Sequence, residues 1–268
     1  MYLELTLNSQ LTVFQTVNEW AVDVDEARRL HDNTRDLHLT PELSLRFSNL
    51  RIAARTTAFH TNFKLSDVRC LIGEEHVWDD VSNARLEIHA FESCTMHPRD
   101  PSPRYLYLST LVLAQFTTAM VTGLHTITTS NLRHRMTHPI FRGFAFITFK
   151  ANHCLGYFYD ARLGTLTYVD GLGGAAPPDT LDLVRFIVKD LNLPLPESCV
   201  RPSLPQQGRA SGSCNIVAQS FIEHATGLST ERWEGEHCSV AFCNRHLRDM
   251  IVYKLSAQGV SHRLKTAG

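Results

Sequence analysis

Apolar and polar positions change their period near residue 143, and this divides the chain into two kinds of element. In residues 10–32, Leu11, Phe14, Val17 and Ala21 recur on one side ahead of the charged stretch "DEARRLHD", a helical pattern. The following "PELSLRFSNLRIAAR" admits helix or strand. "SNARLEIHAFE" comes after Asp79 and Asp80, and carboxylates there favour a helix start because they offset its positive end. Residues 105–124, "YLYLSTLVLAQFTTAMVTGL", carry no charged side chain and are long enough to span a bilayer. They are also rich in Ser and Thr. Leu106, Leu113, Phe116, Met120 and Leu124 repeat at three-, four- and seven-residue spacings, which predicts the buried face of one core helix.

From residue 143 aromatic and β-branched residues dominate, and "GFAFITFK" reads as a buried strand. "HCLGYFYD" and "GTLTYVDG" are strand-like runs joined by "ARLG", a hairpin turning at Gly164. "DTLDLVRFIVKDLNL" predicts a helix stopped by Pro194 and Pro196. "CVRPSLPQQ" is a short extended piece, followed by a small-residue loop and a helix from about Cys214 to Gly227. A last helix is expected over 239–257. Strands and helices so interleaved predict an α+β domain.

Composition narrows the function classes. Lys plus Arg (26) balances Asp plus Glu (27), so no overall charge argues for nucleic acid or an anionic membrane as partner. The N-terminal "MYLELTLNSQ" lacks the basic-then-apolar pattern of a secretory signal. Seven scattered cysteines predict reduced thiols, and the expected location is cytoplasm or nucleus. "HCSVAFCNRH" and "HRMTH" place His and Cys together without the spacing of a zinc site, so no metal and no cofactor is assigned.

Chemistry concentrates at "QQGRASGSCN", residues 206–215. Cys214 stands where a loop becomes a helix, and the unpaired N–H groups and positive dipole end of a helix stabilise a thiolate. A thiolate nucleophile needs a base, and the base needs an orienting acceptor. His153 opens one strand of the hairpin and Asp170 closes the other, 17 positions on. Antiparallel strands joined by a tight turn bring those outer ends together.

Three blocks, in order over about residues 70–258, resemble the ubiquitin-like-protein protease family, the SUMO and sentrin proteases of clan CE. "NHCLGYFYDARLGTLTYVDGL" is similar to the family's His-Trp strand, hairpin and Asp-ending strand. "QQGRASGSCNI" resembles its Gln-to-Cys block, and "HVWDDVSN" its upstream Trp-Leu-Asn-Asp block. The resemblance implies a papain-like cysteine protease fold, a central mixed sheet flanked by helices. It makes Cys214 the nucleophile, His153 the general base and acid, and Asp170 its orienter. Gln207, with the N–H of Cys214, becomes the oxyanion donor. The loop is one residue longer than the family's, so Gln206 stays open as the alternative.

Other positions depart from the family. Ser213 and Asn215 replace the Asp and Gly that flank its cysteine. The two tryptophans that clamp a diglycine tail fall on His76 and Cys154, with Trp78 a possible substitute and Asp79 beside it. The implied substrate-binding set is therefore Trp78, His76, Asp79 and Cys154. The implied activity is thiol isopeptidase cleavage after the C-terminal Gly of SUMO, ubiquitin or a related modifier, with that modifier and its conjugates as partners. Two alternatives are an acyltransferase using the same triad, for which no basic cofactor-binding cluster is evident, and a non-catalytic modifier-binding module. Residues 1–65 lie outside the resemblance, as an N-terminal extension that could bind the modifier; 66–268 form the expected catalytic domain.

Overall fold

The computed structural model describes residues 77, 79–150, 153–207, 212–239, 241–243, 245, 246, 248–250 and 253. The elements expected over 10–32 and 41–55 lie outside the described residues. Residues 74–243 form one compact unit, and 1–73 with 244–268 form a second. Of the helix expected over 239–257, the residues that are described are helical.

The larger unit is built on a five-stranded mixed sheet in the order β1-β2-β3-β4-β5. Its strands are β1 (Tyr105–Leu108), β2 (Gly143–Lys150), β3 (His153–Asp160), β4 (Thr165–Asp170) and β5 (Cys199–Val200). The three central strands are antiparallel neighbours, and the two outer strands run parallel to theirs. The helices are α1 (Asp79–Met96), α2 (Thr110–Thr122), α3 (Ile127–Met136), α4 (Pro178–Val188) and α5 (Cys214–Ala225). The β3–β4 turn runs through Gly164, whose φ is +66°, as expected of the "ARLG" connection.

Alternation gives the sheet two different faces. On one, Phe146, Tyr157 and Tyr168 align across three strands, with the Phe146 and Tyr157 rings stacked 4.8 Å apart. Leu113 and Phe116 of α2 and Leu183, Val184 and Ile187 of α4 complete that core. The other face carries Gly156, which meets α5. A methyl group at Gly156 would lie 3.0 Å from the Ala218 backbone, so glycine there lets the helix seat directly on β3.

A network buried between α1 and α5 holds the second helix in place. Arg85 donates to Glu223 at 2.8 Å, His89 and Gln219 pair at 3.0 Å, and Gln219 donates to both the carbonyl and the hydroxyl of Ser82 at 3.2 Å.

Residues 105–124 are not one core helix. "YLYL" alternates half-buried and buried residues as β1, parallel to β2, and the chain breaks at Ser109, whose hydroxyl accepts the Val112 N–H and starts α2. The helical spacing from Leu106 was therefore a coincidence of two elements: Leu106 is buried in the sheet, whereas Leu124 is exposed. Among the described residues no single helix is long and apolar enough to cross a membrane; α2 and α3 pass such a test only as a pair bent by 98°. Helix α3 has no apolar stripe and was not anticipated; Thr126 caps it by accepting the Thr129 N–H, and Met136 anchors its end. Helix α4 stops five residues before the expected end, because Asp190 and Asn192 adopt left-handed backbone at φ 64° and 56°.

Candidate active site

Strand β3 begins at His153 and β4 ends at Asp170, and the register pairs Asp170 with Leu155. His153 thus lies diagonally past the end of β4. Its Nε2 is 2.6 Å from Asp170 Oδ1, with the two side chains 19% and 7% exposed. The turn after β4 wraps the same carboxylate: Leu172 N–H donates to Oδ1 at 2.8 Å and Gly174 N–H to Oδ2 at 2.9 Å. Burial alone would push the Asp170 carboxyl up. The His153 contact and the two backbone donors outweigh it and hold the group below the usual carboxylate range.

Cys214 is the first residue of α5 and is almost fully buried. Ser213 precedes it, and its carbonyl accepts the Val217 N–H at 2.9 Å, so Cys214 belongs to the first turn, where backbone N–H groups have no partner within the helix. The Cys214 pKa is lowered to about 5. The largest cause is a hydrogen bond from the Cys154 thiol; the Cys154 backbone N–H and His153 add to it, and burial opposes it. The cysteine and the His–Asp pair are therefore gathered at one end of the sheet.

Gln207 is buried, and its backbone N–H donates to Gly171 O at 2.9 Å, directly after Asp170. A Cβ at Gly171 would collide with the Gln207 side-chain carbonyl, so glycine is needed for this approach. Gln206 faces the other way: it is exposed, and its amide lies against Gly173 beside Arg201.

No protein-family model matches the chain, and no curated protein sequence does. Solved structures do. The SUMO protease Ulp1 with its catalytic cysteine oxidised to a sulfonic acid superposes with a TM-score of 0.59 at 12% identity, covering 80% of this chain and 95% of that one. The Ulp1-like SUMO protease catalytic domain of Chaetomium thermophilum gives 0.54 at 11% identity, covering 81% and 89%. The C-terminal Ulp1 protease domain in complex with Smt3, the yeast ortholog of SUMO, gives 0.50 at 11%, covering 73% and 85%. The chain has the Ulp1 protease fold.

Within the Ulp1 fold, the positions that depart from the family pattern acquire partners of their own. Ser213 donates its hydroxyl to the Glu236 carboxylate at 3.1 and 3.2 Å, so a carboxylate from a later turn stands next to the residue before the cysteine. Asn215 donates to Cys154 Sγ at 3.8 Å. Trp233, 2% exposed, donates its indole N–H to Pro205 O at 3.1 Å and so holds the extended segment leading to Gln207. Asp79 lies exposed in the first turn of α1, and His76 and Trp78 lie outside the described residues. Cys154 is buried and faces Cys214.

Sequence reasoning missed Gly171, the donors of Leu172 and Gly174, Trp233 and Glu236. The glycine-rich "GLGG" after Asp170 was the one local signal for the first three; nothing in the sequence ties Trp233 to Pro205 or Glu236 to Ser213. Among the described residues no group of three or more His, Cys, Asp or Glu side chains is arranged to hold a metal ion.

Proposed function

We propose that the chain is a thiol protease of the Ulp1 type that cleaves after the C-terminal glycine of a ubiquitin-like modifier, in the cytoplasm or nucleus. The observation that carries this reading is the 2.6 Å His153–Asp170 pair beside a thiol of lowered pKa at the head of α5. In this reading the Cys214 thiolate attacks the glycyl carbonyl. Charge then develops on the carbonyl oxygen, and the Gln207 amide with the Cys214 backbone N–H stabilises it. His153 protonates the departing amine, leaving an acyl-enzyme, and afterwards takes a proton from the water that hydrolyses it. Asp170, fixed by two backbone donors, keeps the imidazole oriented throughout.

SUMO is the first modifier to try, since one of the similar structures is a complex with Smt3. Cys154, where the family places a bulky tryptophan, favours a wider channel for the modifier's tail, so the folded body of the modifier must supply more of the binding. The test is a panel of SUMO, ubiquitin and related modifiers carrying a C-terminal electrophile. The expected result is a covalent adduct on Cys214, located by mass spectrometry, and release of the modifier from a conjugate. No adduct with any modifier, from a chain whose Cys214 still reacts with iodoacetamide, would overturn the reading.

A further inference from the structure

The position of Cys154 follows from how β3 and α5 pack. Gly156 touches Ala218. Two residues back along β3 is about 6.6 Å, and one turn of four residues back along α5 is about 6 Å. The two steps match, and they lead from Gly156 and Ala218 to Cys154 and Cys214. Strand alternation keeps Cys154 on the same face as Gly156, toward the helix. The Asn215 side chain, one residue past Cys214, donates to Cys154 Sγ at 3.8 Å and fixes where that sulfur sits. Both thiols are free and both are buried, at 3% and 1% exposure.

We propose that Cys154 is a resolving thiol and that hydrogen peroxide, or another peroxide of similar size, closes a reversible Cys154–Cys214 disulfide within the chain. The Cys214 thiolate attacks one peroxide oxygen; an S–O bond forms, the O–O bond breaks, and the released hydroxide takes a proton and leaves as water. Cys214 is then a sulfenic acid. Cys154 attacks that sulfur, an S–S bond forms, the S–O bond breaks, and the hydroxyl leaves as a second water with the Cys154 proton. Two thiols have lost two electrons in all, and the peroxide has been reduced to two waters. A dithiol returns the pair to its starting state by exchange.

Three features divide the roles between the two sulfurs. The hydrogen bond from Cys154 favours the thiolate on Cys214, whereas burial and the neighbouring sulfur push the Cys154 thiol up, so Cys214 is oxidised first. Oxidation then removes the negative charge that had held the Cys154 proton in place. Burial also hinders a bulky thiol such as glutathione, which leaves Cys154 as the nearest reductant of the sulfenic acid.

The disulfide rests on this packing; its effect on activity rests on Cys214 being the nucleophile proposed above. The full chain is treated with hydrogen peroxide, remaining thiols are blocked, and a non-reducing digest is mapped by mass spectrometry beside Cys154→Ser. The expected result is a linked pair of peptides holding residues 154 and 214, lighter by two hydrogens. Modifier cleavage is lost with it, and dithiothreitol restores most of it. Cys154→Ser, normalised to its own reduced activity, instead gains two or three oxygens on Cys214 and does not recover. Absence of the linked peptides, or equal recovery of variant and parent, overturns the inference. If the linked peptides form while the reduced chain cleaves no modifier, the disulfide stands and the proposed protease function falls.

Discussion

The two halves of the candidate site are held in different ways. His153 and Asp170 sit on one hairpin, where strand register and the turn after β4 place both groups within 17 residues. Cys214 and Gln207 belong to a loop and a helix start whose ties come from far along the chain: Gly171 to Gln207, Trp233 to Pro205, Glu236 to Ser213, and Arg85 to Glu223 on the same helix as the cysteine. The hairpin half is local and backbone-determined. The cysteine half depends on side chains packed from other elements, so distant substitutions should disturb it while leaving the His–Asp pair intact.

The largest effect is expected within the hairpin. Asp170→Asn keeps the shape but offers His153 the wrong orientation, and modifier cleavage should fall by roughly 10⁴-fold with little change in KM. Single-turnover kinetics on a fluorogenic modifier substrate checks this; a fall of less than tenfold would mean that another group orients His153. Next comes the long-range support of α5. Glu223→Ala removes one carboxylate from the buried Arg85 guanidinium and the neighbouring His89 and should destabilise the fold by up to about 3–5 kcal/mol, read from urea unfolding. If stability is unchanged, the cysteine helix is not held through this network.

A smaller change separates the two glutamines. Gln207→Ala should lower kcat by roughly 10²- to 10³-fold, and Gly171→Ala, which crowds the same side chain, should act in the same direction. Gln206→Ala should leave kcat nearly as it was, since that side chain faces solvent. The reverse ranking would shift the oxyanion role to Gln206. Milder in its effect on catalysis, Trp233→Phe removes the bond to Pro205 O, about 1 kcal/mol of local support, together with one ring of a buried indole. It should raise KM or lower kcat modestly while leaving the hydrogen bond between His153 and Asp170 in place.

Both halves are sensitive to acid, and the readout separates them: alkylation rate for the cysteine, stability for the carboxylate. Cys214 titrates at about 5, so its alkylation by iodoacetamide should hold its rate at pH 6 and fall as pH drops through about 5. A free-cysteine peptide, with a pKa of about 8.5, loses its rate far earlier. Asp170 is an acid whose folded pKa lies below its unfolded one. Its contribution to stability is therefore complete above the unfolded value of about 4 and is lost as pH falls through the lower, folded value. Asp170→Asn should flatten that acid limb; an unchanged limb would place the acid sensitivity elsewhere.

How far each part was legible follows the same division. "GFAFITFK", "HCLGYFYD" and "GTLTYVDG" announce β2, β3 and β4 because strand alternation and a glycine turn are local properties, and with them came the closeness of His153 and Asp170. The start of α5 at Cys214 was readable from small residues giving way to an apolar period. Residues 105–124 misled because a four-residue strand and the helix after it share apolar residues at helical spacing; only pairing with β2, 38 positions on at Tyr105–Gly143, gives "YLYL" its identity as a strand.

By itself, then, the sequence determined the order of the elements from β2 to α5, the mixed α+β class and the residue types that could form a nucleophile, a base and an orienter. Tertiary structure alone decided that Gly156 admits Ala218 and so sets Cys154 against Cys214. It also decided that Gln207 rather than Gln206 is turned inward, and that Glu236 meets Ser213 across 23 positions. The physical reason is range. Backbone period and turn chemistry act over a few residues and leave a mark in the order of side chains, whereas a close approach between two elements depends on the size of one atom group on each, and nothing in either segment alone names its partner.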